Sequence, residues 1–157
     1  MRRLWITALL IFAIDQITKY WVVQVLDLKT RLNLEVLPPL LNLRMAWNRG
    51  INFGWFSGDN ENARWILIAI AVAICVAVLV WVRRENAGPM AYISAGVLIG
   101  GALGNVVDRI IYGAVADFLN MSCCGVRNPF SFNVADIAVF AGAIGLVIWG
   151  EARKTGS

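Results

Sequence analysis

From Trp65 to Val82 the chain runs for 18 positions without one charged side chain. A soluble helix shows polar residues to water at least once per turn, so a run of this length and composition has its place in a bilayer. Three further apolar stretches accompany it: Leu4 to about Val25, Met90 to Val107, and Val134 to Trp149. The composition agrees. Fully 59% of the 157 residues are hydrophobic and only 15% charged, against roughly 45–50% and 25% in soluble domains. The expected fold is therefore a membrane all-α protein. It has four transmembrane helices, at about 4–25, 65–82, 90–107 and 134–149, in a single integral membrane domain over residues 1–157, with no room for a second, soluble domain. The first stretch opens like a signal peptide, but Asp15 midway and the lack of a small-residue cleavage site predict a retained helix.

Arg2, Arg3, Arg83, Arg84, Arg153 and Lys154 fall in short segments on one side of such a four-span chain. Lys29, Arg31, Arg44, Arg49 and Arg127 are spread over two longer loops on the other. Positive charge concentrates on the cytoplasmic face. Both termini are thus expected in the cytoplasm, with residues 27–63 and 112–132 outside: in a bacterial inner membrane the periplasmic side, or the outer surface where there is one membrane. The net charge of +4 follows this topology instead of forming a basic patch, which excludes nucleic acid as a partner.

In the first outer loop Leu32, Leu34 and Val36 alternate with Asn33 and Glu35. Beyond Pro38 and Pro39, Leu41, Leu43, Met45 and Trp47 alternate with Asn42, Arg44 and Ala46. Period two in two runs predicts β-strands. A sheet edge is not tolerated in hydrocarbon, so a small extracytoplasmic sheet after helix one should rest at the membrane surface as a cradle. The glycines of Asn48-Arg49-Gly50-Ile51-Asn52-Phe53-Gly54 suit a tight turn or a close backbone approach. Gly96, Gly100 and Gly104, with Gly101, are read as positions of close helix packing, as are Ala138, Ala141, Gly142 and Gly145.

The chain has no histidine, which removes histidine triads, Cys/His pairs and every histidine-containing zinc site. Cys75, Cys123 and Cys124 are too few for a four-thiolate zinc site and make no disulfide framework. They are read as small buried or loop residues. No metal or cofactor is expected.

Charges inside a membrane cost about 2.5–3.5 kcal/mol each on insertion scales, so each needs a partner or a task. Asp15 and Lys19 lie four apart and can pair with each other; Asp15 can alternatively meet Arg109. Asn105, Asp108 and Arg109 share a face at the outer end of the third helix. Asp117 follows that helix, and Asp136 lies in the first turn of the fourth, so both fall at the outer membrane boundary. The loop between them allows the carboxylates to meet if the two helices pack side by side. Two acids within about 3–5 Å do not both ionise, and one retains a proton. Such a pair can activate water against a peptide carbonyl without metal or histidine. The plainer reading leaves Asp136 as a helix N-terminal residue and Asp117 as a helix end, each worth about 1 kcal/mol. Asn105-Val106-Val107-Asp108 and Asn133-Val134-Ala135-Asp136 repeat one Asn-x-x-Asp pattern, placing an amide and an acid on one face of each helix, and this favours the acid pair.

Together, Asp15-Gln16-Ile17-Thr18-Lys19, the Asn48–Gly54 segment, Gly100-Gly101-Ala102-Leu103-Gly104-Asn105-Val106-Val107-Asp108-Arg109, Val115-Ala116-Asp117-Phe118 and Phe132-Asn133-Val134-Ala135-Asp136 resemble the signal peptidase II family of intramembrane aspartyl proteases. The resemblance covers nearly the whole chain. It implies that Asp117 and Asp136 are the catalytic dyad and that Asn105 and Asn133 support it. Asn48, with Gly50 in its segment, and Arg109 would hold the substrate, while Asp15 and Asp108 would organise the polar cluster. The implied substrate is a diacylglyceryl-modified prolipoprotein cut before its lipidated cysteine, the implied inhibitors are globomycin-type peptides, and a monomer in membrane lipid is expected. Ile51 and Asn52 depart from the smaller residues common in the family, and the Cys123-Cys124 pair is unusual. A small transporter or proton channel using Asp15, Asp108 and Arg109 as a relay is the rival reading, but four short spans carry no evident inverted repeat. An inactive structural subunit is a third, and it leaves the repeated Asn-x-x-Asp pattern unexplained.

Overall fold

The computed structural model describes residues 1–50, 61–125 and 128–150. Helix α1 (Arg2–Tyr20) continues into a single wider π turn, Trp21–Val25, and together these match the predicted first span. A four-residue helix α2 (Leu28–Arg31) follows, entered through Asp27 in the left-handed region. The predicted strands are present as β1 (Asn33–Leu37) and β2 (Leu41–Asn48). Helix α3 (Glu61–Arg84) and helix α4 (Pro89–Tyr112) are longer than their apolar cores suggested. Pro89 at the first helical turn starts α4, and Gly113 at φ 73° ends it, each where its backbone preference belongs. Helix α5 spans Val134–Trp149, as expected.

The region 112–132, read as a loop, contains a third strand, β3 (Val115–Asn120). It pairs antiparallel with β2, giving the sheet order β1-β2-β3 with β2 central. The register sets Ala46 opposite Asp117, and Asn48 opposite Val115. Phe118 and Leu43 from the sheet pack with Val22 and Leu28, so the sheet rests against the π turn and α2 that follow α1. Residues 51–60 lie outside the described set, and with them the predicted glycine turn beyond Gly50 and the positions Ile51 and Asn52.

Helix α4 is the axis of the bundle. A methyl group at Gly96 or Gly100 would sit 2.5 Å from the carbonyl oxygens of Leu4 and Ala8 on α1, and one at Gly101 the same distance from that of Ala135 on α5. Glycine on two faces thus lets both neighbours approach to backbone contact, the packing that lipid, lacking a hydrophobic drive, requires. Outward faces stay apolar: Phe140 and Val147 on α5 are 70% and 80% exposed. Three helical stretches, Arg2–Val25, Asn62–Arg84 and Pro89–Tyr112, are long and apolar enough to cross a membrane. The expected fourth is shorter: α5 has 16 residues, about 24 Å at 1.5 Å per residue.

Cys75 is buried, whereas Cys123 and Cys124 are exposed and joined to each other by a disulfide. That bond was not foreseen, since adjacent cysteines staple no separate elements.

Candidate active site

Strand β3, at one edge of the sheet, is held by pairing with β2, and this fixes Asp117 at the side of the sheet that meets α4 and α5. Asp117 is 3% exposed. Its Oδ2 accepts from Asn48 Nδ2 at 3.0 Å and its Oδ1 from Asn133 Nδ2 at 2.6 Å. Asn48 is itself aimed, because its Oδ1 accepts the Gly50 N–H at 3.0 Å. Gly50 has φ 112°, a backbone conformation that selects glycine, whereas the nearby Leu67 Cδ1 belongs to a side chain that can turn aside.

Asn133 is the N-cap of α5. Its Oδ1 accepts the Asp136 N–H at 2.8 Å, and its own N–H donates to Asp136 Oδ2 at 3.2 Å, a reciprocal capping box. The plainer reading of Asp136, as a helix-terminal acid, is therefore true of one of its oxygens. The other, Oδ1, accepts from Asn105 Nδ2 on α4 at 2.8 Å. One asparagine, Asn133, thus bonds to both acids, and Asn105 closes the ring because its Oδ1 accepts from Asn133 Nδ2 at 3.2 Å. The two Asn-x-x-Asp segments are not equivalent, however. The first lies within α4, the second straddles a helix start, and Asp108 turns away from the acid pair.

Asp108 Oδ2 accepts the Ala116 N–H of β3 at 3.1 Å and pairs with Lys19 Nζ at 2.9 Å. Asp15, fully buried, pairs with Lys19 at 2.8 Å and accepts the Ala135 N–H of α5 at 2.9 Å. The alternative partner, Arg109, instead donates from Nη1 to the Asn105 carbonyl at 3.3 Å, and its buried Nε has no partner among the described residues. Gly104 makes room for this cluster, since a methyl group there would collide with the Asp15 carboxylate. Sequence reasoning passed over Gln16, whose Nε2 bridges Asp15 and Asp108 at 3.1 and 3.3 Å. It treated Lys19 only as a partner of Asp15. The signal in both cases was a polar side chain on the same intramembrane turn as an acid. Asp15 and Asp108 converge on an ammonium, so that pair of acids is already neutralised in part by a side chain.

Burial pushes the Asp117 carboxyl up from 3.8 to about 6, with the Asp136 charge adding to the rise and the Asn48 and Asn133 donors opposing it. The arrangement thus places two carboxylates on one hydrogen-bonded frame, with the proton affinity of one raised towards neutrality. That is what water activation by an acid pair needs.

Residues 7–150 match the family described as signal peptidase (SPase) II. The chain is 39% identical over 150 residues to the lipoprotein signal peptidase of Methylobacterium sp. (strain 4-46), covering 94% of this chain and 89% of that one. It is 37% identical over 150 residues to that of Shewanella baltica, covering 95% and 84%. Two solved structures of a bacterial membrane enzyme, determined by the in meso method at 2.3 and 1.9 Å resolution, are also similar. They superpose with TM-scores of 0.73 and 0.77 at 27% and 25% identity, over 97% and 96% of this chain and 92% of each of those.

Proposed function

Since the chain belongs to the signal peptidase II family, we propose that it acts as an intramembrane aspartic endopeptidase with Asp117 and Asp136 as its dyad. As a lipoprotein signal peptidase it takes a prolipoprotein substrate in the membrane. The finer reading is that the substrate carries a diacylglyceryl-modified cysteine and is cut on the N-terminal side of it. The observation that carries the dyad is Asn133, which binds Asp117 through its side chain and Asp136 through its capping box.

In the proposed reaction the ionised carboxylate removes a proton from a water held between the acids, and the resulting hydroxide attacks the scissile carbonyl. The protonated carboxyl gives its proton to the carbonyl oxygen. Collapse of the tetrahedral intermediate breaks the C–N bond: the proton first taken from water passes to the leaving amine, and one hydroxyl of the intermediate returns its proton to the carboxylate that had protonated the carbonyl oxygen, restoring the dyad. Asn105, Asn133 and Asn48 fix the carboxylates so that little reorganisation is needed at the moment of reaction. Arg109, whose buried Nε has no partner among the described residues, and the Asn48–Gly50 turn are suited to hold the substrate backbone. The sheet would hold the segment before the lipidated cysteine at the membrane surface.

The remaining features of this reading are a single integral membrane domain, a monomer in the bacterial inner membrane, blockade by globomycin-type peptides, and four crossings with both termini cytoplasmic. For the fourth crossing, Trp149 at the end of α5 lines one cavity of about 740 Å³ with Met1, Arg2, Arg3 and Ala87–Met90. That position supports α5 running the full length of the bundle. The test is cleavage of a diacylglyceryl-modified prolipoprotein by purified protein in detergent. Asp117→Asn and Asp136→Asn should each abolish turnover while leaving the fold intact, and chelator should leave the wild-type rate unchanged. Near-wild-type cleavage by either variant removes the dyad from the reading.

A further inference from the structure

Lys19 lies one turn above Asp15 on α1 and is 5% exposed, yet among the described residues it forms no ion pair with Asp117 or Asp136. Its three N–H bonds have three acceptors: Asp15 Oδ2 at 2.8 Å, Asp108 Oδ2 at 2.9 Å and Asn105 Oδ1 at 3.1 Å. The third contact is not needed to neutralise anything. Its consequence is for Asn105, whose amide has one accepting end and one donating end. An ammonium only donates, so the end of Asn105 that faces Lys19 is its oxygen. The NH₂ must then face Asp136, where Nδ2 stands 2.8 Å from Oδ1. The same oxygen receives Asn133 Nδ2 at 3.2 Å, and that nitrogen stands 2.6 Å from Asp117 Oδ1. A flipped Asn105 would present oxygen to the Asp136 carboxylate and NH₂ to both Lys19 and Asn133, repulsive in all three directions.

We infer that Lys19 is a positioning residue of the dyad: its ammonium fixes the direction of the Asn105 amide and, through Asn105 and Asn133, the orientation of both catalytic carboxylates. Asp15 and Asp108 hold the ammonium in place, and are themselves held by the backbone N–H groups of Ala135 and Ala116, the residues that immediately precede Asp136 and Asp117. The inference rests on the dyad reading above and adds to it a residue that touches neither acid.

The experiment is a mutant cycle on the full-length protein, assayed on diacylglyceryl-modified prolipoprotein. Lys19→Met should lower kcat about 100-fold, the scale of a small misplacement of reacting groups, with KM within about threefold of wild type. Asn105→Ser should do the same, and the double variant should fall no further than the worse single variant, because one route is being cut twice. Losses that multiply would show independent roles and overturn the inference. Lys19→Met also leaves two acids facing each other, so the neutral triple variant Asp15→Asn, Lys19→Met, Asp108→Asn is the fold control. Its asparagines keep a carbonyl oxygen for the Ala135 and Ala116 N–H groups. It should stay folded and stay slow. A folded triple variant with wild-type kcat would assign Lys19 to charge balance alone, and unfolding of both Lys19→Met and the triple variant would assign it to the fold; either result overturns the positioning role. The dyad reading fails separately, through an active Asp117→Asn or Asp136→Asn, whereas the Lys19 inference fails when those variants are dead and Lys19→Met turns over normally.

Discussion

Asp117 illustrates how a single side chain couples folding to chemistry. Its carboxyl is raised from 3.8 to about 6, first by burial and then by the charge of Asp136. Between those two values the folded chain binds more protons at this position than the unfolded chain does. The linkage relation then gives the sign: the group's contribution to stability is fully present below about pH 4 and is lost as pH rises through about 6. Asp117→Asn has nothing to titrate, so its melting temperature should fall less than that of wild type between pH 4 and pH 7. The same causes predict that Asp136→Asn, by deleting the neighbouring charge, lowers the Asp117 midpoint. Infrared spectroscopy of the protonated carboxyl band during a pH titration reads this directly. A midpoint that stays at about 6 in Asp136→Asn would show that Asp136 is not close enough to matter, and the acid pair would have to be abandoned.

At the level of elements, the site depends on where β3 and the start of α5 are placed, and the two were unequally visible in the sequence. Strands β1 and β2 were legible because apolar and polar residues alternate along them, although in the structure Val36, Leu37 and Trp47 are exposed and only Leu43 of the two strands is buried. Strand β3 was not. Val115, Ala116, Asp117, Phe118 and Asn120 are all buried, so no alternation marks it, and Asp and Asn are depleted in strands generally. The π turn and α2 left no periodic trace either. The acids themselves were legible as misplaced charge, and the amides as their companions, but the frame joining them required strand pairing and a helix cap that spacing does not encode. That cap separates two roles that sequence left entangled. Asn133→Ala should destabilise the protein by about 1 kcal/mol, as loss of an N-cap does. Asn133→Ser restores an oxygen for the Asp136 N–H, but its hydroxyl is too short to reproduce the bond to Asp117. Thermal melts should therefore show Ser close to wild type and Ala below it, while both variants lose most cleavage activity. Full activity in Asn133→Ser would confine Asn133 to the cap and take away the link between the acids.

For the whole molecule, the question is how a bundle with one short helix crosses a bilayer whose hydrocarbon is about 30 Å thick. Two ends of the bundle can be identified without reference to lipid. Met1–Arg3, Ala87–Met90 and Trp149 share one end, while β2, β3 and the start of α5 share the other through the pairing of Asn48 with Val115 and the bonds of Asn133. Helix α5 therefore runs between the same two ends as α1 and α4, although its 16 residues are fewer. Under the proposed fourth crossing, a deficit of this size would be met by local thinning of the bilayer at a fraction of a kcal/mol per ångström. The polar cluster lies at the α5 start, so thinning there would also bring water towards Asp117 and Asp136. The proposed orientation of these two ends can be measured. In a variant with Cys123 and Cys124 replaced by serine, a cysteine introduced at Glu35 on β1 should react with a membrane-impermeant thiol reagent added outside intact spheroplasts. One introduced at Glu85, between α3 and α4, should react only after permeabilisation. The opposite pattern would put the acids on the cytoplasmic face and overturn the proposed orientation. Labelling of both positions from outside would mean that α3 does not cross at all.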